Sequence, residues 1–176
     1  MSLLAPVQTS CLIALALLLL MAAWQDWRTM RIADGISLAI IGLFAAWAMA
    51  GLIGGTFSLL HLGLAVVCAA GMFGLGTLAF AWGVMGGGDV KLAAATSLFA
   101  GSHLLLDFIT VTAMVGGVMG LAILAGAPIG PVVSTAPDAV EPAGGSALRA
   151  RLRGSLPYGP AIAAGGLWVA ASLAFA

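Results

Sequence analysis

Long apolar runs separated by short polar breaks dominate this chain, and six can be placed, at roughly 4–24, 36–56, 58–80, 90–106, 108–127 and 158–176. Each approaches or exceeds the ~20 residues an α-helix needs to cross a bilayer. Inside hydrocarbon every backbone amide must be satisfied within its own segment, which leaves helices as the form these runs take. The pattern predicts an all-α, polytopic membrane protein, a bundle of about six transmembrane helices. Its connectors then alternate between two faces, with 24–35, 81–91 and 128–157 on one, and tight turns near 51–58 and 101–108 on the other.

Charge supports that count. All six basic residues, Arg28, Arg31, Lys91, Arg149, Arg151 and Arg153, fall in the first set of connectors. Basic loops stay on the cytoplasmic side, so this set is assigned to that face and both termini to the outside. A count wrong by one would scatter the same charges over both faces.

Composition excludes an ordinary soluble domain: 62% of the 176 residues are hydrophobic, only 7% are charged, and mean hydropathy is +1.19. Soluble domains carry roughly 25% charged residues. The whole of 1–176 reads as one integral membrane domain. A formal net charge of zero gives no clustered basic footprint for nucleic acid. Cys11 and Cys68 lie far apart in apolar runs and read as small core residues. The first run lacks a basic leading region and runs into Asp26 and Arg28, which predicts a retained helix rather than a cleaved signal.

Residues 128–160 hold six of the seven prolines, so 128–157 reads as a mobile cytoplasmic linker. Its basic end at 148–153 suits anionic headgroups, at ~1 kcal/mol per basic residue. The spacings Gly51 to Gly55 and Gly116 to Gly120 read as seams of close helix approach.

Against this apolar background two carboxylates stand out. Gly86-Gly87-Gly88-Asp89-Val90-Lys91 sets one behind three glycines at the mouth of the fourth run, and Trp24-Gln25-Asp26-Trp27-Arg28 sets another at the end of the first. Ionisable groups at the edge of lipid are costly to keep, which makes both functional-site candidates. Two carboxylates a few ångströms apart share a proton, so one serves as base and the other as acid toward a water held between them. Each also has a plain structural reading: Asp89 as a helix N-cap, and Asp26 as an interfacial partner of Arg28 or Arg31. Three consecutive glycines, Gly86, Gly87 and Gly88, favour more than a cap, because they remove side chains where another backbone must approach closely. Asp34 reads as the N-cap of the second helix and a rival to Asp26, and Asp107 as a cap of the fifth. Lys91 reads as snorkelling to headgroups or holding negative charge near the site. His61 and His103 stand near the opposite face, and no histidine and carboxylate cluster has metal spacing, so no metal or other cofactor is expected.

These residues resemble a known family, the type IV prepilin leader peptidases, membrane aspartic proteases with a Gly-x-Gly-Asp signature. Gly86-Gly87-Gly88-Asp89 matches that signature, and Val90-Lys91-Leu92 continues it. Asp26-Trp27-Arg28-Thr29-Met30-Arg31-Ile32-Ala33-Asp34 looks like the family's other motif, with Ala33 where proline is common. Pro157-Tyr158-Gly159-Pro160-Ala161-Ile162-Ala163 is similar to the sequence that opens the family's last helix. The resemblance implies a catalytic pair of Asp26 and Asp89, supported by Gly86, Gly88 and Lys91, cleaving the leader of a prepilin or pseudopilin at the cytoplasmic face of the bacterial inner membrane. The paired cysteines of larger members, associated with N-methylation, are absent, so the chain looks like the short tight-adherence form and methyl transfer is not expected. A small proton- or cation-coupled transporter and a non-catalytic secretion scaffold are the alternatives; a transporter more often shows mid-bilayer carboxylates and an internal repeat. The protease reading expects Asp26 and Asp89 to face one another across a polar cleft open to the cytoplasm.

Overall fold

The computed structural model describes residues 4–125 and 157–175. Among them are six helices: α1 (Leu4–Thr29), α2 (Asp34–Ile53), α3 (Leu59–Ala81), α4 (Gly87–Ala100), α5 (Leu105–Leu124) and α6 (Gly159–Phe175). All six predicted runs are helical, and the described residues contain no strand. Four helices, α1, α2, α3 and α5, are long and apolar enough to cross a membrane. The protein is a multi-pass membrane protein. The 128–157 linker and its basic end at 148–153 lie, apart from Pro157, outside the described residues.

Two boundaries differ from the sequence expectation, and both bear on the site. The first helix continues through 24–29 and takes Asp26 into its last turns. No glycine or proline interrupts those positions, and the Arg28 guanidinium stacks over Trp24 one turn earlier, 4.6 Å from the ring centre. Met30 then adopts a left-handed conformation, φ 51°, which ends the helix and turns the chain into the 31–33 connector. The fourth helix is shorter than the predicted 90–106, because Gly101 at φ 54° stops it. Its 14 residues extend about 21 Å, less than the ~30 Å hydrocarbon layer. Neighbouring helices enclose it.

Those neighbours define the architecture. α4 packs against α2, α3, α5 and α6, and α6 packs against α1, α4 and α5. The core follows this pairing: Leu15 and Leu19 of α1, Leu92 and Thr96 of α4, Phe108 of α5, and Ile162 and Val169 of α6 are almost wholly buried. Phe44, Trp47, Phe57 and Phe99 form a linked aromatic cluster toward the end of the bundle where α4 stops. Asp89 lies at the other end of α4, as does the end of α1.

The glycine pairs expected to be helix seams behave unequally. A Cβ on Gly51 would clash with Phe57 and Gln8, Gly55 is a left-handed turn residue, and a Cβ on Gly116 would stand at an ordinary 3.6 Å from Ala161 of α6. The closest helix approaches fall instead at Gly165, against Thr112 and Phe108 of α5, and at Gly166, against Leu19 and Thr96, while Gly159, Gly86 and Gly88 crowd Asp26 and Asp89.

Candidate active site

Asp26 begins the final turn of α1 and is only 4% exposed. It is not the interfacial ion-pair partner that its neighbours Arg28 and Arg31 invite. Among the described residues the single salt bridge joins Lys91 to Asp34, and Arg28 is engaged with Trp24. Asp26 instead turns inward and accepts a hydrogen bond at Oδ2 from the Gly159 amide, 2.8 Å away. Gly159 is the first residue of α6, where an amide has no partner inside its own helix and the positive end of the helix dipole favours an anion.

The contact depends on glycine. A Cβ at Gly159 would stand 2.6 Å from Asp26 Cβ and 2.8 Å from Oδ2. Pro157, just before it, is fully buried, and Tyr158 packs against the main core cluster. The sequence reading singled out this Pro-Tyr-Gly segment as the opening of a helix but not as a source of a hydrogen-bond donor. The signal was a small residue at a helix N-terminus facing the level of an isolated carboxylate.

Asp89 is the third residue of α4, so the N-cap position belongs to Gly86, not to Asp89. The carboxylate reaches back to accept from the Gly86 amide at Oδ2, 3.3 Å, which is the carboxylate half of a capping box; glycine has no side chain to supply the other half. Its second oxygen, Oδ1, is buried and has no hydrogen-bond partner among the described residues. Asp89 as a whole is 8% exposed. Both carboxylates are therefore buried, where the sequence led to an expected cleft open to one face.

The three glycines before Asp89 have separate roles. A Cβ on Gly88 would meet Ile32 at both Cβ and the backbone oxygen, 3.2 Å each, so the 31–33 connector crosses directly over this position. On Gly86 it would meet Asp89 Oδ2 at 2.8 Å. On Gly87 it would make only an ordinary contact, 3.6 Å to the Phe80 ring. The connector itself is held by the Gln25 side chain, whose Oε1 accepts from the Ala33 amide at 3.2 Å, and by Thr29 Oγ1, which donates to the Arg31 carbonyl at 3.0 Å. Thus the segment after Asp26 is laid across the segment before Asp89.

Electrostatics links the same groups. Asp89 lies outside the four long spans, and burial first, then the charge of Asp26, push its carboxyl from 3.8 up to about 7, against the opposing effect of the Gly86 amide. Tyr158, ahead of α6, is likewise pushed above its ordinary value by burial and then by Asp89. Asp26, Asp89 and Tyr158 thus lie within one another's fields through these two pairings, brought there by α1, α4 and the start of α6.

The other sequence candidates fall elsewhere. Asp34 is the first residue of α2 and makes no cap; Ala33 occupies the N-cap position, and Asp34 Oδ2 accepts from Lys91 Nζ at 2.8 Å. Lys91 therefore pins α4 to α2 instead of extending to headgroups. Both partners are exposed, at 48% for Lys91 and 71% for Asp34. Asp107 is the third residue of α5, whose N-cap position is Leu104, and no side-chain cap is formed there. Cys11 is buried and Cys68 partly so, neither in a disulfide. No group of three or more metal-ligating side chains exists among the described residues.

The model of the type IV leader peptidase family matches residues 13–121, a stretch that contains both Asp26 and Asp89. No curated protein and no solved structure matches the chain.

Proposed function

The chain belongs to the type IV leader peptidase family, and on that premise we propose that it is an aspartic endopeptidase in which Asp26 and Asp89 activate one water against the leader junction of a type IV prepilin or pseudopilin. The observation that carries this reading is the pair of buried carboxylates, each tied to the backbone by one oxygen, with the charge of one raising the pKa of the other. Two such groups hold one proton between them near neutral pH.

Asp89 is the partner that keeps the proton, since its carboxyl is pushed up to about 7. Its Oδ1, without a hydrogen-bond partner among the described residues, is the atom that presents that proton to the scissile carbonyl. Asp26, fixed by the Gly159 amide at a helix N-terminus, takes a proton from the attacking water. The resulting tetrahedral intermediate collapses as Asp26 passes that proton to the leaving amine, the C–N bond breaks and Asp89 takes back a proton from the intermediate's hydroxyl, which returns the pair to its starting state. The chemistry rests on these carboxylates and calls for no cofactor.

The basic connectors around the same end of the bundle favour a site at the cytoplasmic face of a bacterial inner membrane. The only cysteines in this sequence, Cys11 and Cys68, lie far apart, which supports reading it as the tight-adherence form of the enzyme, without methyl transfer.

The test is co-expression of a candidate prepilin with the wild type, Asp26→Asn and Asp89→Asn, following leader removal by gel shift. Each single substitution abolishes processing, while Asp34→Asn retains it. Full processing by both site variants would remove the protease assignment, and loss in Asp34→Asn with Asp26→Asn active would move the pair to Asp34 and Asp89.

A further inference from the structure

The chain has only two histidines, His61 and His103, and the fold brings them together at the end of the bundle remote from Asp89. His61 is in the first turn of α3 and His103 in the turn between α4 and α5. Their ring centres are 5.6 Å apart and their planes inclined at 47°. Both side chains are exposed at the rim of a cavity of about 90 Å³ that is also lined by Trp47, Phe57 and Phe99.

We propose that His61 and His103 form a two-histidine site for a borderline transition-metal ion such as Zn²⁺, Ni²⁺ or Cu²⁺, with water completing the coordination. The spacing fits one shared ion. Imidazole nitrogens at about 2.0–2.1 Å from a tetrahedral metal put their ring centres roughly 5.2 Å apart, close to the 5.6 Å separation seen here.

A second observation orients the ligand. His61 Nδ1 lies 2.7 Å from Ser58 Oγ, the side chain that caps α3 by accepting from the His61 amide. With Nδ1–H donating to that oxygen, the lone pair of Nε2 is left for the ion, the arrangement by which outer partners fix metal-ligating histidines. The cavity offers space for water ligands, each of which takes about 30 Å³ in the liquid.

The site would also hold the bundle together. Ala65 is the one buried residue of α3, and among the described helices α3 packs substantially only on α4. An ion shared by His61 and His103 clamps the start of α3 to the α4–α5 turn. This inference is independent of the peptidase reading, since neither histidine belongs to the proposed catalytic site.

The experiment uses the full chain, purified with its affinity tag removed and held in detergent or nanodiscs. Zn²⁺ is titrated by calorimetry, and Ni²⁺ and Cu²⁺ by quenching of tryptophan emission, which Trp47 reports from the cavity wall; Mg²⁺ is the control ion. The expected result is one Zn²⁺ per chain, a higher Tm with Zn²⁺ than without, and no effect of Mg²⁺. His61→Gln and His103→Gln each weaken binding at least tenfold and remove the Tm increase, with the metal-free Tm unchanged. Zn²⁺ binding equally to the wild type and to the double variant, or absent from the wild type, overturns the proposal.

Discussion

The Gly159 amide and Asp26 Oδ2, 133 residues apart in sequence, are joined by a 2.8 Å hydrogen bond at the start of the last helix. This bond places a backbone donor behind a buried carboxylate and ties α1 to α6 at the level of the site. The environment of Asp26 therefore depends on a residue well outside its own motif.

Gly159→Ala is expected to displace Asp26, because the new Cβ has Asp26 Cβ at 2.6 Å and Oδ2 at 2.8 Å. A misplacement of this size near a reacting group costs on the order of 100-fold in rate. Prepilin processing in membranes should fall by that amount while the variant remains inserted. Wild-type processing would show that the contact does not position the carboxylate.

The glycines before Asp89 should differ in tolerance. Gly88→Ala meets the Ile32 backbone and Gly86→Ala meets the Asp89 carboxylate, so both lower processing, and Gly88→Ala also costs about 1–3 kcal/mol of stability through overpacking. Gly87→Ala meets only the Phe80 ring at van der Waals distance and should retain activity. Parallel cleavage assays and thermal melts of the three variants test this order.

Stability should fall as pH rises toward neutrality. A carboxyl raised from 3.8 to about 7 means the folded chain keeps a proton that the unfolded chain has released. That stabilising contribution is full below 3.8, shrinks as pH rises, and is lost above about 7. Thermal melts across this window should show a declining Tm for the wild type and a flatter profile for Asp89→Asn. Cleavage by the wild type should likewise fall on the alkaline side of about 7, as the pair loses its shared proton.

The Lys91 and Asp34 ion pair should prove a minor element. Both side chains are solvent-accessible, and exposed pairs contribute at most about 1 kcal/mol. Lys91→Ala should keep processing activity with a small drop in Tm. A large loss of cleavage without loss of stability would assign Lys91 a direct role in the site.

The apolar runs by themselves determined that the chain is a set of membrane helices, since hydrocarbon leaves the backbone no other way to satisfy its amides, and they located all six. The rarity of charge in those runs marked Asp26 and Asp89 as candidates. Helix ends were less legible. Asp34, Asp89 and Asp107 each carry an N-cap composition, yet all three lie inside their helices, because the position of a cap is set by where the preceding chain enters. The same short-range view offered Arg28 to Asp26, whereas in the fold Arg28 stacks on Trp24 one turn earlier. Only the tertiary structure decided that Gly159 faces Asp26, that Ile32 crosses Gly88, and that His61 meets His103. Hydropathy is summed along a segment and survives any packing of the helices, but such pairings depend on how separate helices are rotated and staggered, which no single segment encodes.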